Sequence, residues 1–156
     1  MLNIMDKNKE LKVNAIKNGT VLDHIPSENL FKVISILKLN NVSNAITFGM
    51  NLESARIGLK AIIKVSDMFF EDAEINKISL VAPMAKLNII KNYEVVEKRE
   101  VVVPQEVVGI VKCFNPQCIT NHQAITTKFS MYEKQPIALR CHYCEKITCE
   151  DQMWIL

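Results

Sequence analysis

CFNPQC at residues 113–118 and CHYC at residues 141–144 decide how the C-terminal third of this chain folds. The two cysteine pairs have the spacings C-x4-C and C-x2-C, and 22 residues separate them. Each pair can hold a metal ion from a tight turn, and two pairs complete a tetrahedral site of four thiolates. Such a site suits zinc or a single iron ion and excludes magnesium and calcium. We predict one structural Zn²⁺, with no position open to substrate, held by Cys113, Cys118, Cys141 and Cys144.

Disulfide bonds between the same cysteines are the alternative to zinc. The N-terminus, MLNIMDKNKE, is polar and charged and lacks the apolar segment of a signal peptide, so we expect a reducing, cytoplasmic compartment that favours the metal. Cys149 lies outside both pairs. We interpret it as a small apolar residue of a strand rather than a ligand.

The composition argues against several functional classes. Of the 156 residues, 49% are hydrophobic and 23% are charged, as in an ordinary globular protein. The net charge of +2 is too small to require a nucleic acid or an anionic membrane as partner. No apolar run approaches the ~20 residues of a membrane span, and none of the four glycines belongs to a phosphate-binding loop motif. No acid–base or nucleophilic constellation is recognisable, so we predict that the chain is not an enzyme.

Residues 11–98 alternate between strand and helix patterns. The strand patterns are LKVNAI, GTVLDHI, AITFGMNL, LKAIIKV, AKLNII and YEVVEK, the last two joined by a turn at Lys91-Asn92. A first helix is predicted with Ser27 as its N-cap, and a second within EDAEINKISLVAP (71–83), with acidic residues in its first turn and Pro83 after its end. The order β-α-β-β-α-β with one extra strand predicts an α+β, ferredoxin-like (split βαβ) domain with both helices on one face of an antiparallel sheet.

The chain is predicted to divide near residue 100. We expect a flexible tail at residues 1–10, the ferredoxin-like domain at 11–99, a junction at 100–104 and a small β-rich zinc domain at 105–156. Pro104 disfavours a central strand at the junction. Trp154 is interpreted as a packing residue of the last strand.

Several segments together resemble the regulatory chain of aspartate carbamoyltransferase. They are NAIKNGTVLDHIP (14–26), ITFGMNL (46–52), LKAIIKV (59–65), APMAKLNIIKNYEVVEK (82–98) and the cysteine array. The resemblance covers nearly all of residues 11–148. It implies a nucleotide-binding domain followed by a zinc domain that contacts the catalytic chain. A chain of this family does no chemistry; it binds CTP, ATP or UTP and changes the affinity of distant catalytic sites for aspartate in pyrimidine biosynthesis.

The resemblance also implies an effector site on the sheet. Asp23 would accept a hydrogen bond from the ribose, His24 and Lys98 would contact phosphate, and backbone groups of the first strand would pair with the base. Lys64 would contact base and ribose. The full implied set is Val13, Asn14, Ile16, Asp23, His24, Lys64, Asn88, Tyr93, Val95 and Lys98.

Two positions depart from the family pattern. Asn14 stands where an acidic residue is usual, which predicts an altered preference among nucleotides. Glu97 stands beside Lys98 where a small residue is usual, so we expect an extra negative charge next to the triphosphate.

The resemblance further implies two protein contacts. Polar residues of the metal loops would contact the catalytic chain: Asn115, Gln117, Glu145 and Lys146. The N-terminal domain would form a homodimer, for which AITFGMNL (45–52) is the candidate pairing segment because it is apolar and low in charge.

Two other functions are open to a chain of this kind. A nucleic-acid-binding zinc ribbon would have the same four-cysteine core, but acidic and basic residues cancel over residues 113–156, whereas phosphate-driven binding needs a cationic excess. A small-molecule enzyme of ferredoxin-like fold is disfavoured by the missing acid–base constellation.

Overall fold

The computed structural model describes residues 15–156. The predicted tail and two predicted effector-binding residues, Val13 and Asn14, lie outside the described residues. Of the first predicted strand, LKVNAI, only Ala15 and Ile16 are described, and neither belongs to a strand.

The N-terminal part is an antiparallel five-stranded sheet with two helices. Its elements are β1 (Gly19–Pro26), α1 (Leu30–Ile36), β2 (Ile46–Ser54), β3 (Gly58–Ser66), α2 (Asp72–Ile78), β4 (Lys86–Lys91) and β5 (Glu94–Glu100). The strands lie in the order β2-β3-β1-β4-β5, and each neighbouring pair is antiparallel. This order confirms the predicted split βαβ fold, with β5 as the extra strand.

The two faces of the sheet follow from the period-two alternation of side chains. Leu22 pairs with Ile63 and with Leu87, and all three are fully buried. They share a core with residues of both helices: Leu30, Val33, Ile75 and Ile78. The intervening residues point away from the helices and form what we call the open face: Val21, Asp23, Lys60, Lys64, Lys86, Asn88 and Lys98.

Backbone geometry at both ends of β1 shapes this face. Gly19 has a φ of +140°, and a Cβ there would lie 2.0 Å from the carbonyl oxygen of Val65, so only glycine fits. Near the other end, the pairing with β3 shifts between Leu22 and Ile25, and His24 has a φ of 60°. Such an irregularity redirects side chains, and functional sites often contain one.

Both helices differ from their predicted bounds. Ser27 is not the N-cap of α1, because a 3₁₀ turn (Ser27–Asn29) precedes that helix and Asn29 occupies the cap position. The Ser27 hydroxyl instead accepts a hydrogen bond from the backbone N–H of Asn51 at 2.8 Å, which ties the turn to β2. The second helix ends at Ile78 rather than near residue 83, and Glu71 caps its start.

The turn between β4 and β5 lies one residue later than predicted. Asn92 and Tyr93 occupy it with φ values of 51° and 67°. A two-residue hairpin loop with two positive φ angles has the twist of a type I′ turn, which matches the twist of the flanking strands. Tyr93 is therefore a turn residue, not a strand residue.

The C-terminal part is built from short strands around the cysteines. They are β6 (Glu106–Val108), β7 (Val111–Lys112), β8 (Lys128–Lys134), β9 (Ile137–Cys141), β10 (Ile147–Cys149) and β11 (Trp154–Ile155). One sheet has the order β10-β9-β8-β6, and β7 pairs with β11. Cys149 lies in a strand as predicted but is exposed. Trp154 is 70% exposed, so its interpretation as a packing residue is wrong.

The N-terminal and C-terminal parts also pack against each other. Residues 101–104, which include Pro104, are not in a strand. Leu80, just after α2, is buried in the core around the cysteines, and Ile155 packs against both cores. The two parts therefore share packing contacts at Leu80 and Ile155. Among the described residues, no helix has the length and apolar character needed to cross a bilayer.

Candidate functional site

A row of directly paired residues, one from each strand, crosses the open face; we call it the register row. Lys64 on β3 pairs with Thr47 on β2 and with Val21 on β1. Val21 also pairs with Asn88 on β4, and Asn88 pairs with Lys98 on β5. Directly paired residues present their side chains on the same face, with Cβ atoms about 4.5–5.5 Å apart. Three residues of the implied effector site, Lys64, Asn88 and Lys98, therefore lie in one line.

An ion pair lies beside this row. The Nζ of Lys60 is 2.9 Å from Oδ1 and 3.2 Å from Oδ2 of Asp23, and both side chains are 21% exposed. The same carboxylate accepts the backbone N–H of His24 at 2.6 Å. A carboxylate has about four acceptor positions, so Asp23 can still accept a hydrogen bond from a ligand hydroxyl.

The imidazole of His24 is held in a cationic surrounding. Its Nδ1 is buried, lies 3.6 Å from Oδ1 of Asp23, and makes no hydrogen bond within the part of the chain that the structure describes. Burial lowers the pKa of His24, and the Asp23 carboxylate raises it. Three nearby cations lower that pKa further: Lys60, Arg56 and Lys86. The ring is therefore neutral at pH 7, and it can contact an anion as a neutral N–H donor.

The pKa of Lys64, on the second strand of the same row, is also shifted. Burial lowers the pKa of Lys64, and the Asp23 carboxylate opposes that shift. The position suits a charge-assisted hydrogen bond to a ligand lying on the sheet.

The sequence reasoning missed two cations of this face. Lys60 lies four residues before Lys64 on β3, and Lys86 lies two residues before Asn88 on β4. In a strand, even separations put side chains on the same face. The two-residue periodicity of strands could therefore have predicted that both lysines lie on this face.

Glu97 does not lie beside Lys98 on the open face, which argues against the expected extra negative charge next to a triphosphate. Glu97 pairs with Ile89, whose side chain belongs to the helix-side core. Its carboxylate forms an ion pair with Arg99, and Arg99 also contacts Asp72 of α2 at 2.9 Å. Hydrogen bonding to Arg99 lowers the pKa of Glu97. Alternation along β5 separates this charge from that of Lys98 by the thickness of the sheet.

Tyr93 and Val95 lie at the opposite end of the face from Lys86. The backbone N–H of Tyr93 donates to the carbonyl of Lys17 at 2.9 Å, so the turn contacts the segment that contains Ile16. Val95 pairs with Ile90. Tyr93 is 66% exposed, which leaves its ring available to a ligand.

The second candidate site is the cysteine cluster. The Sγ atoms of Cys113, Cys118, Cys141 and Cys144 all lie within 4.8 Å of one another. The Cys113–Cys144 and Cys118–Cys141 sulfur pairs are each 3.7 Å apart. Tetrahedral zinc with Zn–S bonds near 2.3 Å separates its sulfurs by about 3.8 Å, whereas a disulfide needs about 2.05 Å. The geometry fits one structural zinc ion and rejects disulfides.

Hydrogen bonds shape the two metal loops, 113–118 and 141–144. The Asn121 side chain donates to the carbonyls of Cys113 and Asn115, at 3.1 and 2.8 Å. Burial raises the pKa of Cys113. At Cys144 burial acts in the same direction, but hydrogen bonds from Lys146, Asn115 and the neighbouring thiols lower the pKa to about 7. A divalent cation supplies the positive charge that the remaining thiolates need.

The predicted partner-contact residues differ in accessibility. Gln117, inside the first metal loop, is exposed, as are Glu145 and Lys146, which come just after Cys144. Asn115 is only 8% exposed, because its side chain accepts the backbone N–H of Gln117 at 3.1 Å inside the loop. Apolar side chains that sequence reasoning did not consider surround these loops: Phe114, Ile119 and Tyr143, which are 53%, 43% and 41% exposed. The loops therefore present a mixed apolar and polar surface.

Comparisons with known proteins identify the family of this chain. Residues 11–102 match the family model for the aspartate carbamoyltransferase regulatory chain, allosteric domain, and residues 105–154 match the model for its metal binding domain. The regulatory chain of Bacteroides fragilis is 56% identical over 153 residues, covering 97% of this chain and 100% of that protein. That of Pyrococcus horikoshii is 51% identical over 146 residues, covering 92% and 96%. This chain therefore belongs to the family of aspartate carbamoyltransferase regulatory chains.

Proposed function

We propose that this chain is the non-catalytic, cytoplasmic allosteric subunit of an aspartate carbamoyltransferase and that it binds CTP, ATP or UTP on the open face. The observation that carries the proposal is the register row of Lys64, Asn88 and Lys98 beside the Asp23–Lys60 pair. It combines cations for phosphate with a carboxylate for a sugar hydroxyl on one accessible surface.

In this proposal the nucleotide lies across the sheet. The base lies at the end of the open face where Tyr93 is located, and Lys64 contacts both the base and the ribose. Asp23 accepts from a ribose hydroxyl, and the phosphates extend toward His24 and Lys98. The alternation that puts Glu97 on the helix side supports this arrangement, because no carboxylate of β5 then lies beside Lys98 in the row.

We propose further that β2 forms the homodimer contact. It is the outer strand of the sheet next to β3, so one of its edges has no partner among the described strands. Phe48 and Met50 are 46% and 37% exposed there, and Phe31 packs edge-on against Phe48 with ring centroids 6.1 Å apart. An exposed apolar edge strand tends to pair with another copy.

The zinc domain is proposed to contact the catalytic chain. Loops held by a metal lose little conformational entropy on binding, and exposed aromatic side chains commonly anchor protein interfaces. The shared packing at Leu80 and Ile155 gives a physical route from the nucleotide sheet to the docking surface.

The test is reconstitution with the catalytic chain of an aspartate carbamoyltransferase. We expect sedimentation to show a mixed complex and aspartate saturation curves to shift when CTP or ATP is added. Phe114→Ala should weaken assembly, and Tyr132→Ala, at an exposed aromatic residue of β8 outside the metal loops, serves as a matched control. Failure of the two chains to associate, with the metal site loaded, would contradict the proposal.

A further inference from the structure

A small cavity lies at the end of the open face, beyond the row of Lys64 and Asn88. Its volume is about 210 Å³, and charged side chains from three segments line it: Arg56 from the β2–β3 turn, Lys86 from β4 and Glu100 from β5. Lys86 pairs directly with Asp23, so it belongs to the same face as the predicted ribose contact.

The cavity carries an excess of positive charge. Among residues 15–156, no carboxylate lies within 4 Å of the Arg56 guanidinium, and Lys86 has only Glu100, at 3.9 Å. Both cations act on His24, whose pKa they lower, so their fields reach the bulge of β1. Arginine and lysine together, facing one carboxylate at a loose distance, form an anion-binding surface rather than a closed salt bridge.

We propose that Arg56 and Lys86 bind the terminal phosphate of a nucleoside triphosphate in this cavity. The inference rests on the proposed nucleotide function of the open face. Lys86 lies two residues from Asn88, or about 7 Å along the strand, a distance that a phosphate chain starting near Asn88 can span. A guanidinium group matches the geometry of a phosphate through paired N–H donors. The consequence is selectivity for triphosphates over diphosphates and monophosphates of the same nucleoside.

Calorimetric titration of the full, metal-loaded chain tests this subsite, with CTP, CDP, CMP and inorganic tripolyphosphate as probes. Arg56→Ala and Lys86→Ala should each weaken CTP binding by about tenfold, the effect of one lost charge-assisted hydrogen bond. CMP binding should stay unchanged. Lys77→Ala removes a charge from α2, on the other side of the sheet, and should leave every affinity unchanged.

These outcomes distinguish failure of the phosphate subsite from failure of nucleotide binding on the sheet. Equal losses for CTP, CDP and CMP, no loss, or the same loss in the Lys77 variant would overturn the phosphate subsite and leave nucleotide binding on the sheet intact. If the unsubstituted chain bound no nucleotide, both proposals would fall. Tripolyphosphate binding as tight as that of CTP, lost with Arg56→Ala, would identify an inorganic-anion site instead and overturn the nucleotide assignment.

Discussion

Replacing one zinc ligand should unfold the C-terminal part and leave the five-stranded N-terminal sheet folded. Cys118 is 1% exposed, and its Sγ lies 3.7 Å from that of Cys141, inside the same core as Phe129 and Leu139. Structural zinc contributes about 10–16 kcal/mol of binding free energy, against a net stability of about 5–15 kcal/mol for a whole domain. The free energy of zinc binding is therefore as large as the net stability of a whole domain, so a three-thiolate site that no longer retains zinc leaves so small a core too unstable to stay folded.

Hydrogen exchange of the full chain measures this effect by region. In Cys118→Ser, peptides from β8 and β9 should exchange at the rate of unfolded chain, whereas peptides containing Leu22 or Ile63 stay protected. Cys149→Ser is the matched control, because Cys149 is exposed and lies outside the cluster. Retained protection of β8 and β9 in Cys118→Ser, or equal loss in both variants, would refute the reasoning.

Three further perturbations test other parts of the account. CTP affinity should increase as the pH falls from 8 to 6, because burial and nearby cations hold the pKa of His24 below its ordinary value in the free chain and a bound phosphate raises that pKa. Calorimetry in buffers of different ionisation enthalpy should detect proton uptake on binding. A pH-independent affinity would argue against a phosphate at His24. Phe48→Asp should convert the proposed homodimer into monomers in sedimentation equilibrium without altering the circular dichroism spectrum, and a persisting dimer would place the contact elsewhere. Glu97→Gln should leave CTP affinity within about twofold of the original, because its carboxylate faces α2; a clear gain in affinity would restore the repulsion that the sequence predicted.

Much of the fold could be predicted because the local patterns agree with the tertiary structure. Apolar alternation in GTVLDHI and LKAIIKV predicts β1 and β3, and the four cysteines predict the cluster that the structure brings together. Regular periodicity succeeds where packing and propensity favour the same state.

The departures occur where tertiary contacts override a local preference. Ser27 is a good N-cap by type, but its hydroxyl bonds the backbone of Asn51, which is distant in sequence. Glu97 is adjacent to Lys98 in the chain, yet the pleat puts the two on opposite faces. Trp154 is exposed although it lies in a strand, and a propensity for strands gives no information on which face is covered.

The effector site was predicted from the family resemblance rather than from the sequence pattern. Lys60 and Lys86 could have been found by counting even steps from Lys64 and Asn88. Arg56 could not, because a turn residue has no periodicity and its position depends on how the β2–β3 hairpin folds over the sheet. The resemblance implied that Asn115 contacts the partner chain, but its buried amide instead satisfies the backbone of the metal loop.

The central claim, that a nucleotide on the open face controls a partner enzyme, is tested most directly by Lys64→Ala in the reconstituted complex. Aspartate saturation curves would be measured with and without CTP, alongside calorimetric CTP titration, with Lys77→Ala as control. A lost charge-assisted hydrogen bond of about 1.5–3 kcal/mol predicts CTP binding weaker by about one to two decades, and a CTP-induced shift that disappears at concentrations saturating for the control. An unchanged CTP affinity together with an unchanged shift would show that the nucleotide does not lie on this face of the sheet.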